Sequence, residues 1–523
     1  MSAHNSTTCT YKYRIIDLFR RFFMAYVVTA AQMKAAERIC DAGGISYAQM
    51  MENAGRACAQ EIIPLAEGGK KVVILCGSGN NGGDGLVISR ILREHGIRAL
   101  VVFVSGAPKT DCAKANYTTL ERNEKLPFDD SCFKYISEAD IAVDCIYGTG
   151  FHGTLPENAV KALNAAKSCP IRVAVDIPSG VNSDIGGADE NCFKPTVTLV
   201  LAAMKTGLLR PDHLDMLGDI RLLDIGIPNE CYTEYTARLT DESFRRPFSP
   251  AKKSSHKGSF GHLLNIAGCM RYSGAAAMST KAALRSGVGL CTLATTERAV
   301  TMLAPTMNEA TYLPLPETKE GFISAEATEF IAGALKKTTA VTVGCGMGNN
   351  AETRKITEFV IKNAVCPIIL DADGINSVSD NIDILKERKD EIILTPHPLE
   401  FSRISGLSIA EIQRGRIEAA RRFADRYGAT VVLKGAYTVI ASPTEIYVNT
   451  TGNAGLAKGG SGDTLTGIIG AMTAQGIPPL NAAASGVYCH GLAADIAARE
   501  LTREYMLAGD VIAALREVYR SSE

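Results

Sequence analysis

The sequence predicts two α/β domains in one chain, and three observations carry that prediction. At 523 residues the chain is too long for one hydrophobic core, because cores stop growing at about 250–300 residues and longer chains divide. Its 48 glycines gather in short loops that follow apolar runs, the pattern of strands handing over to helices. That rhythm runs through both halves and lapses once, at about residues 228–243. The expected domains are therefore residues 24–230 and 246–523, with a linker at 231–245. Residues 1–23 read as an N-terminal extension ahead of Met24. Their stretch RIIDLFRRFF is basic and aromatic but has neither the long apolar run nor the small-residue cleavage site of a signal peptide, and a weak membrane-surface helix is the second reading.

Composition narrows the partners. A net charge of −1 gives no support to nucleic acid or a membrane surface as a general partner, and the expectation is neither. No apolar run reaches the ~18–20 residues that span a bilayer. The 15 cysteines form no C-x-x-C pair and many sit inside apolar runs, so they read as reduced, buried small hydrophobes of a cytoplasmic protein.

Taken in order, the chain opens with two helices. Thr29 is a cap for the first, which Asp41-Ala42-Gly43-Gly44 ends, and Ser46 is a cap for the second. Met50 and Met51 are expected in the core, and Asn53 is expected to reach a ligand or a neighbouring loop. A buried strand, Val72–Cys76, then feeds the loop 77–85, GSGNNGGDG, with a helix from about Leu86. Gly77, Gly79 and Gly82 stand in the dinucleotide-binding G-x-G-x-x-G context, which makes the first domain Rossmann-like, a three-layer α/β/α unit. Two details oppose a hydride-transfer site. The next strand, 99–104, ends without the ribose-binding acid, and the loop carries Asn80, Asn81 and Asp84, oxygen donors beyond what a pyrophosphate needs. Strands at 139–144 and 172–176 deliver Asp144 and Asp176 to their C-terminal ends, where open α/β sheets bind ligands. The loops 145–153 and 177–180 follow, and the domain closes through 197–201, Lys205-Thr206-Gly207 and 220–228.

The second half starts with a basic stretch whose Lys252, Lys253, His256 and Lys257 fit either a solvated linker or a mobile flap that reaches a phosphate. Strands are expected at 262–267, 290–294, 341–343, 367–370, 392–395 and 431–434, each followed by a loop. His397 sits between Pro396 and Pro398, which fix the backbone and exclude a strand there. The densest signal is TGNAGLAKGGSGDTLTGI at 451–468, a glycine loop that runs into an apolar helix. Such a loop lets a ligand approach the backbone, and the unpaired N–H groups of the helix suit an anion. Asp463 at the mouth of an anion site would repel phosphate, so its expected task is to take a proton from a hydroxyl that attacks the phosphate. A glycine-rich connector with a capping Asp is the plainer reading.

Nine short motifs, in this order, resemble the bifunctional NAD(P)H-hydrate repair enzymes. GNNGGDGLVISR (79–90), VDCIYGTG (143–150) and VDIPSG (175–180) are similar to the NAD(P)HX epimerase family. YSGAA (272–276), GCGMG (344–348), LDADG (370–374), HPLEFSR (397–403), KGA (434–436) and NAGLAKGGSGD (453–463) are similar to the ribokinase-like ADP- or ATP-dependent NAD(P)HX dehydratases. The resemblance implies that the first domain interconverts the R and S hydrates of NADH and NADPH, and that the second dehydrates the S form through a transient phosphate ester.

The resemblance also implies site residues. Asn80, Asn81, Gly82, Gly83, Asp84, Gly148, Thr149, Gly150, Phe151, His152, Gly153, Thr154 and Asp176 would bind the hydrate in the first domain, with Asp176 catalytic. Asn81, Asp144 and Ser179 would hold K⁺, a choice against water that the residues alone leave open. In the second domain Ala275, Gly346, His397 and the catalytic base Asp463 would meet the hydrate. Lys434, Gly435, Ala436, Tyr437, Thr438 and Gly462 would bind ADP or ATP, and Glu400 would organise Mg²⁺ through water. A homo-oligomer is also implied. The chain departs from the family pattern at Cys345 and Met347, where Pro and Leu are more frequent, and at Leu399, where Gly is common. A small-molecule kinase, or a non-catalytic first domain beside a working second one, are the rival readings.

Overall fold

The computed structural model describes residues 25–245, 247 and 252–520, so the expected extension at 1–23 lies outside the described residues. The first half is built on a seven-stranded, wholly parallel sheet. Its spatial order is Lys125–Leu126, Ala99–Phe103, Val72–Cys76, Ile141–Cys145, Ile171–Val175, Val197–Leu201 and Asp219–Leu223. Alternate residues of the strand Val72–Cys76 enter different cores. Val72, Ile74 and Cys76 join one apolar cluster and Val73 and Leu75 another, so helices cover both faces and the unit has three layers. Strand order reverses between Val72–Cys76 and Ile141–Cys145, which opens a crevice at their C-terminal ends.

The second half repeats the arrangement. Seven parallel strands lie in the order Thr311–Leu315, Leu290–Thr296, His262–Ile266, Ala340–Val343, Ile368–Leu370, Ile392–Leu394 and Thr430–Leu433. The antiparallel strands Val439–Ala441 and Ile446–Val448 extend them. Leu264, Val341 and Leu370 pack on one face, while Leu263, Ala340 and Ile369 pack on the other.

The segment expected to be a linker, 231–245, carries a strand. Ala237–Leu239 pairs in parallel with Ile446–Val448 and antiparallel with Tyr26–Val28, which in turn pairs with Met204–Lys205. The second sheet therefore runs through twelve strands into elements of the first half. Tyr26–Val28 serves both cores at once. Val27 packs into a cluster that runs across both halves, with Val200 and Met204 of the first and Leu433 and Val448 of the second, while Tyr26 and Val28 pack into a cluster of the first half.

Thr29 and Ser46 cap the first two helices, Ala30–Ala42 and Tyr47–Ile62, as expected, and Thr29 closes a capping box with Gln32. Met50 and Met51 are buried, and Asn53 Nδ2 donates to Ile225 O at 2.9 Å, so this asparagine ties a loop. One boundary differs from expectation. The helix after the first glycine loop begins at Asn80, not near Leu86, and runs as Asn80–Glu94. Its glycines are there for packing. A Cβ on Gly82 would stand 2.0 Å from Gly77 O, and one on Gly85 would stand 2.8 Å from Cys76 Sγ. Glycine lowers helix propensity, which hid the first turns, but here it lets the helix press onto the strand ends.

Candidate functional site

The two crevices hold two separate sites. In the first half, the loops after Val72–Cys76 and Ile141–Cys145 touch, since a Cβ on Gly77 would meet Ile146 O at 2.0 Å. Asn81 sits in the first turn of the helix Asn80–Glu94, and Gly148 faces it. A Cβ placed on Gly148 would lie 3.1 Å from Asp176 Oδ2 and 3.5 Å from Asn81 Cγ. Sequence-distant Asn81, Gly148 and Asp176 are thus brought together. Asp176 follows its strand in the left-handed region, at φ 67°, a conformation that costs a non-glycine residue about 1–2 kcal/mol. Its Oδ1 accepts from Lys205 Nζ and, at 3.4 Å, from Leu201 N.

The remaining residues of this site separate into groups. Gly150, His152, Gly153 and Thr154 are exposed, and Asn182 Nδ2 lies 3.1 Å from His152 Nδ1. Phe151 is buried among Ile146 and Leu155 and lies 5.5 Å from the Tyr147 ring, so its ring serves the core and only its backbone faces the loop. Asp84 is buried. Burial, then the charges of Asp176 and Glu37, push its carboxyl well above the usual range.

Asp144 is fully enclosed. Its oxygens accept from Ser179 Oγ at 2.7 Å, Ser179 N at 2.8 Å and Ile146 N at 3.1 Å, and burial still pushes its carboxyl up to about 6. Asn81 Nδ2, near Gly148, is buried and has no partner. A half-turn of that amide would present its oxygen instead. One carboxylate, one amide and one hydroxyl make an all-oxygen donor set, which fits a hard monovalent cation.

In the second half the glycine loop is anchored at both ends. Asp495 accepts from Gly452 N and Asn453 Nδ2 at 2.9 Å each, and Lys458 Nζ donates to Met506 O at 2.7 Å. The helix that follows, Ser461–Ala474, begins two residues before Asp463, with Gly460 as its left-handed cap at φ 93°. Its glycines allow close contact. A Cβ on Gly467 would stand 2.1 Å from Ser279 O, and one on Gly462 would stand 3.4 Å from Lys434 Nζ. The N-terminus of that helix therefore faces Lys434, and the anion site expected from the loop has a cation at its floor.

Asp463 shares this floor with two groups that sequence reasoning gave no role. Ligand atoms of Asp463, Asp371 and Cys345 all lie within 4.8 Å of one another. Lys434 Nζ donates to Asp371 Oδ1 at 2.8 Å. Burial would raise Asp371, but the Lys434 charge and the hydrogen bonds from Lys434, Thr395 and Thr466 together outweigh it and hold the carboxyl below its usual range. Asp463 lacks such a partner. Burial, then the Asp371 charge, push it up to about 6. Burial and the same two carboxylates push Cys345 well up, so it stays a thiol.

The other predicted residues fall around that floor. Gly346, at φ 65°, backs onto Ala275, whose Cβ would lie 2.8 Å from a Cβ added there. Lys434, Gly435, Ala436, Tyr437 and Thr438 form the turn after Thr430–Leu433, and Arg416 fixes it by donating to Leu433 O at 2.8 Å and Lys434 O at 3.1 Å. His397 caps the helix Pro398–Ser405. Its Nδ1 accepts from Leu399 N and Glu400 N at 3.2 Å each, and Glu400 Oε2 accepts from His397 N at 2.8 Å. His397 Nε2 lies 3.3 Å from Glu400 Oε1, so both ring nitrogens meet the first turn of this helix. Glu400 is buried, with Lys434 and Asp371 acting on its charge. A single carboxylate already engaged in a cap fits Mg²⁺ only through water, as that ion prefers.

Sequence reasoning noted Lys205 and Asp371 without giving either a role, and it passed over Arg416. The available signals were a lone lysine inside the apolar stretch 200–209 and an aspartate closing an apolar strand.

Comparison with known proteins covers both sites. Residues 47–207 match the family described as YjeF-related protein N-terminus, and residues 263–517 match NAD(P)H-hydrate dehydratase. The bifunctional NAD(P)H-hydrate repair enzyme Nnr of Moorella thermoacetica is 35% identical over 522 residues, covering 95% of this chain and 97% of the relative. The enzyme of that name from Escherichia coli K12 is 32% identical over 499 residues, covering 94% and 93%. A solved structure described as ADP/ATP-dependent NAD(P)H-hydrate dehydratase from Bacillus subtilis co-crystallized with ATP/Mg²⁺ is 32% identical. It covers 55% of this chain and 98% of its own, with a TM-score of 0.48. With relatives alike over nearly their whole length and a family match on each half, the chain belongs to the bifunctional NAD(P)H-hydrate repair enzymes.

Proposed function

We propose that this chain repairs hydrated NADH and NADPH, the first half exchanging the R and S hydrates and the second dehydrating the S hydrate at the expense of ADP or ATP. The observation that carries the reading is the placement of Asp463. Its carboxyl stands in the first turn of a helix that faces Lys434, and burial beside Asp371 pushes it up to about 6. A base of that strength is mostly ionised at neutral pH yet basic enough to take a proton from a hydroxyl.

In the dehydratase half, Asp463 takes the proton of the ring hydroxyl as the hydroxyl oxygen attacks the terminal phosphorus of ADP or ATP. The bond from that phosphorus to its bridging oxygen breaks, and AMP or ADP leaves. The ester then loses phosphate as the adjacent ring proton departs, which restores the double bond. The N–H groups of Gly462 and its neighbours and the Lys434 ammonium face charge that grows on the phosphoryl oxygens. Lys434 to Thr438 and Gly462 hold the nucleotide, while Ala275, Gly346 and His397 line the hydrate. Glu400 would hold Mg²⁺ through water, and that ion would neutralise phosphate charge.

In the epimerase half, the helix start 80–84 and the loop 148–154 hold the hydrate and Asp176 moves the proton that lets the hemiaminal carbon change hand. Asn81, Asp144 and Ser179 would hold K⁺, which would supply a fixed positive charge beside the loops. Cytoplasmic residence fits the cysteines, all of which are free among the described residues, and no described helix is long and apolar enough to cross a membrane. Homo-oligomerisation rests on the family resemblance, and light scattering after size exclusion tests it.

The test supplies mixed NADH hydrate epimers with ADP and, separately, with ATP, and follows the return of reduced-nicotinamide absorbance. Wild type is expected to consume both epimers and release free phosphate. Asp463→Asn is expected to recover none. A product that retains the phosphate would instead identify a small-molecule kinase.

A further inference from the structure

We infer that Lys205 is a positioning residue of the epimerising site, spending one oxygen of Asp176 on its ammonium so that the other faces the hydrate. The inference rests on the function proposed above. Lys205 is 1% exposed, an unusual place for a lysine, and its Nζ donates to Asp176 Oδ1 and to Leu201 O at 2.7 Å. Asp176 Oδ2 points the other way, towards Gly148, where an added Cβ would come within 3.1 Å. The two oxygens of one carboxylate are therefore divided between a fixed cation and the substrate loop.

Both flanks of the pair hold non-glycine residues in the left-handed region, Asp176 at φ 67° and Ala202 at φ 63°. Such backbone persists only where its surroundings fix it, and here it aims the carboxylate and the Leu201 carbonyl at one ammonium. Asp84 and Glu37 are the acidic neighbours, and the Lys205 charge opposes the pull of burial on both. A buried acidic group with its cation removed reorganises or takes up a proton, and its aim is lost with its charge.

The strand that carries the lysine sharpens the point. Met204–Lys205 pairs with Val27 and Val28, so it belongs to the twelve-stranded sheet and not to the seven-stranded sheet, whose strand Ile171–Val175 leads into Asp176. The acid comes from one sheet and the cation that aims it from the other. Displacements of about 1 Å in such a pair cost about 10²-fold in rate.

The full-length chain supplies its own folding control, because S-hydrate dehydration with ADP reads the other half. Three variants, Lys205→Met, Lys205→Arg and Asp176→Ala, are assayed for conversion of R to S hydrate without nucleotide, and then for S-hydrate dehydration. Lys205→Met is expected to lower kcat for R-to-S conversion about 10²-fold, change KM less than about threefold, and leave dehydration within about twofold. Lys205→Arg, which keeps the charge, is expected to regain at least a tenth of wild-type kcat. Should Lys205→Met lose dehydration as well, Lys205→Gln is read in its place by the same kcat criterion. A kcat within about threefold of wild type, with Asp176→Ala inactive, overturns the role of Lys205 alone. Activity retained in Asp176→Ala overturns the epimerase reading itself.

Discussion

Lys434 Nζ lies 2.8 Å from Asp371 Oδ1, and Thr395 Oγ1 donates to the same oxygen at 2.8 Å. Burial opposes charge on both partners, yet Lys434 is held above its usual range by Asp371 and Asp371 below its own by Lys434, so the pair stays ionised. Breaking one side of a buried pair costs about 3–5 kcal/mol, because the other charge is left desolvated and alone. Asp371→Asn should therefore lower the melting temperature of the chain and weaken ADP binding, as read by calorimetry with and without ADP. The sign of the pH effect follows. Asp371 is held low, so its stabilising contribution is complete above its ordinary range and fades as acid protonates it. Unchanged melting in Asp371→Asn would mean the pair is not a net support.

Asp463 has the opposite balance, with its carboxyl pushed from 3.8 up to about 6. As a base it works ionised, so kcat/KM for S-hydrate dehydration should fall about tenfold per unit as pH drops below about 6. For stability, the folded state binds this proton more tightly than the unfolded chain does, so the contribution is largest at low pH and is lost as pH rises from about 4 to about 6. At pH 7.5 the ionised group is a net cost. Asp463→Asn should abolish dehydration and yet stabilise the protein by about 1–3 kcal/mol. A destabilised, inactive variant would show that the carboxylate is better accommodated than its burial implies.

Cys345 donates to Asp371 Oδ2 at 3.6 Å, and its thiol also lowers Asp463 by hydrogen bonding. Lys434 already satisfies Asp371, which leaves the thiol proton to choose between two carboxylates. Cys345→Ala removes that donor, so the acidic limb of the dehydration profile should move up in pH by less than about one unit, since a thiol is a weak donor. A downward shift would contradict this assignment.

The sequence exposed the frame of both sites because their loops follow strong apolar strands. Val72–Cys76 and Val197–Leu201 are found at the expected bounds, and the acidic strand ends at Asp144 and Asp176 lie where a parallel sheet binds ligands. What stayed hidden was short or long-range. Tyr26–Val28 and Ala237–Leu239 have three residues each, too few for any periodicity, and they make sense only as partners of one another. Lys205 and Asp371 gain meaning from Asp176 and Lys434, which lie 29 and 63 residues away along the chain. Glycines at 82 and 85 were read as loop and turned out to be helix, because packing on the strand ends outweighs propensity.

Asp144 binds Ser179 through both its N–H and its hydroxyl while sitting fully buried at a raised value of about 6. A bound cation would offset that burial and hold the carboxylate ionised. R-to-S conversion should accordingly fall at least about tenfold when K⁺ is replaced by a bulky ammonium ion, and S-hydrate dehydration should change less. Such an ion is too large for a cage of three side chains. Asp144→Asn should lose the K⁺ response. Conversion that ignores K⁺ in wild type would leave water as the occupant.

The strand Tyr26–Val28 turns Val27 into one core and Tyr26 and Val28 into the other, and all three are buried. Around it Arg238 pairs with Glu445 at 3.0 Å and Thr240 Oγ1 donates to Asn449 Oδ1 at 2.8 Å, linking the former linker to the second half. Unfolding either core should pull this strand out of the other. The chain is therefore expected to melt in one calorimetric transition instead of two, with both activities lost together. Val27→Asp places an unpaired charge in the cluster that spans both halves, a cost of several kcal/mol, and should separate the transitions. Two resolved transitions in wild type would show that the shared strand joins the halves without coupling their stability.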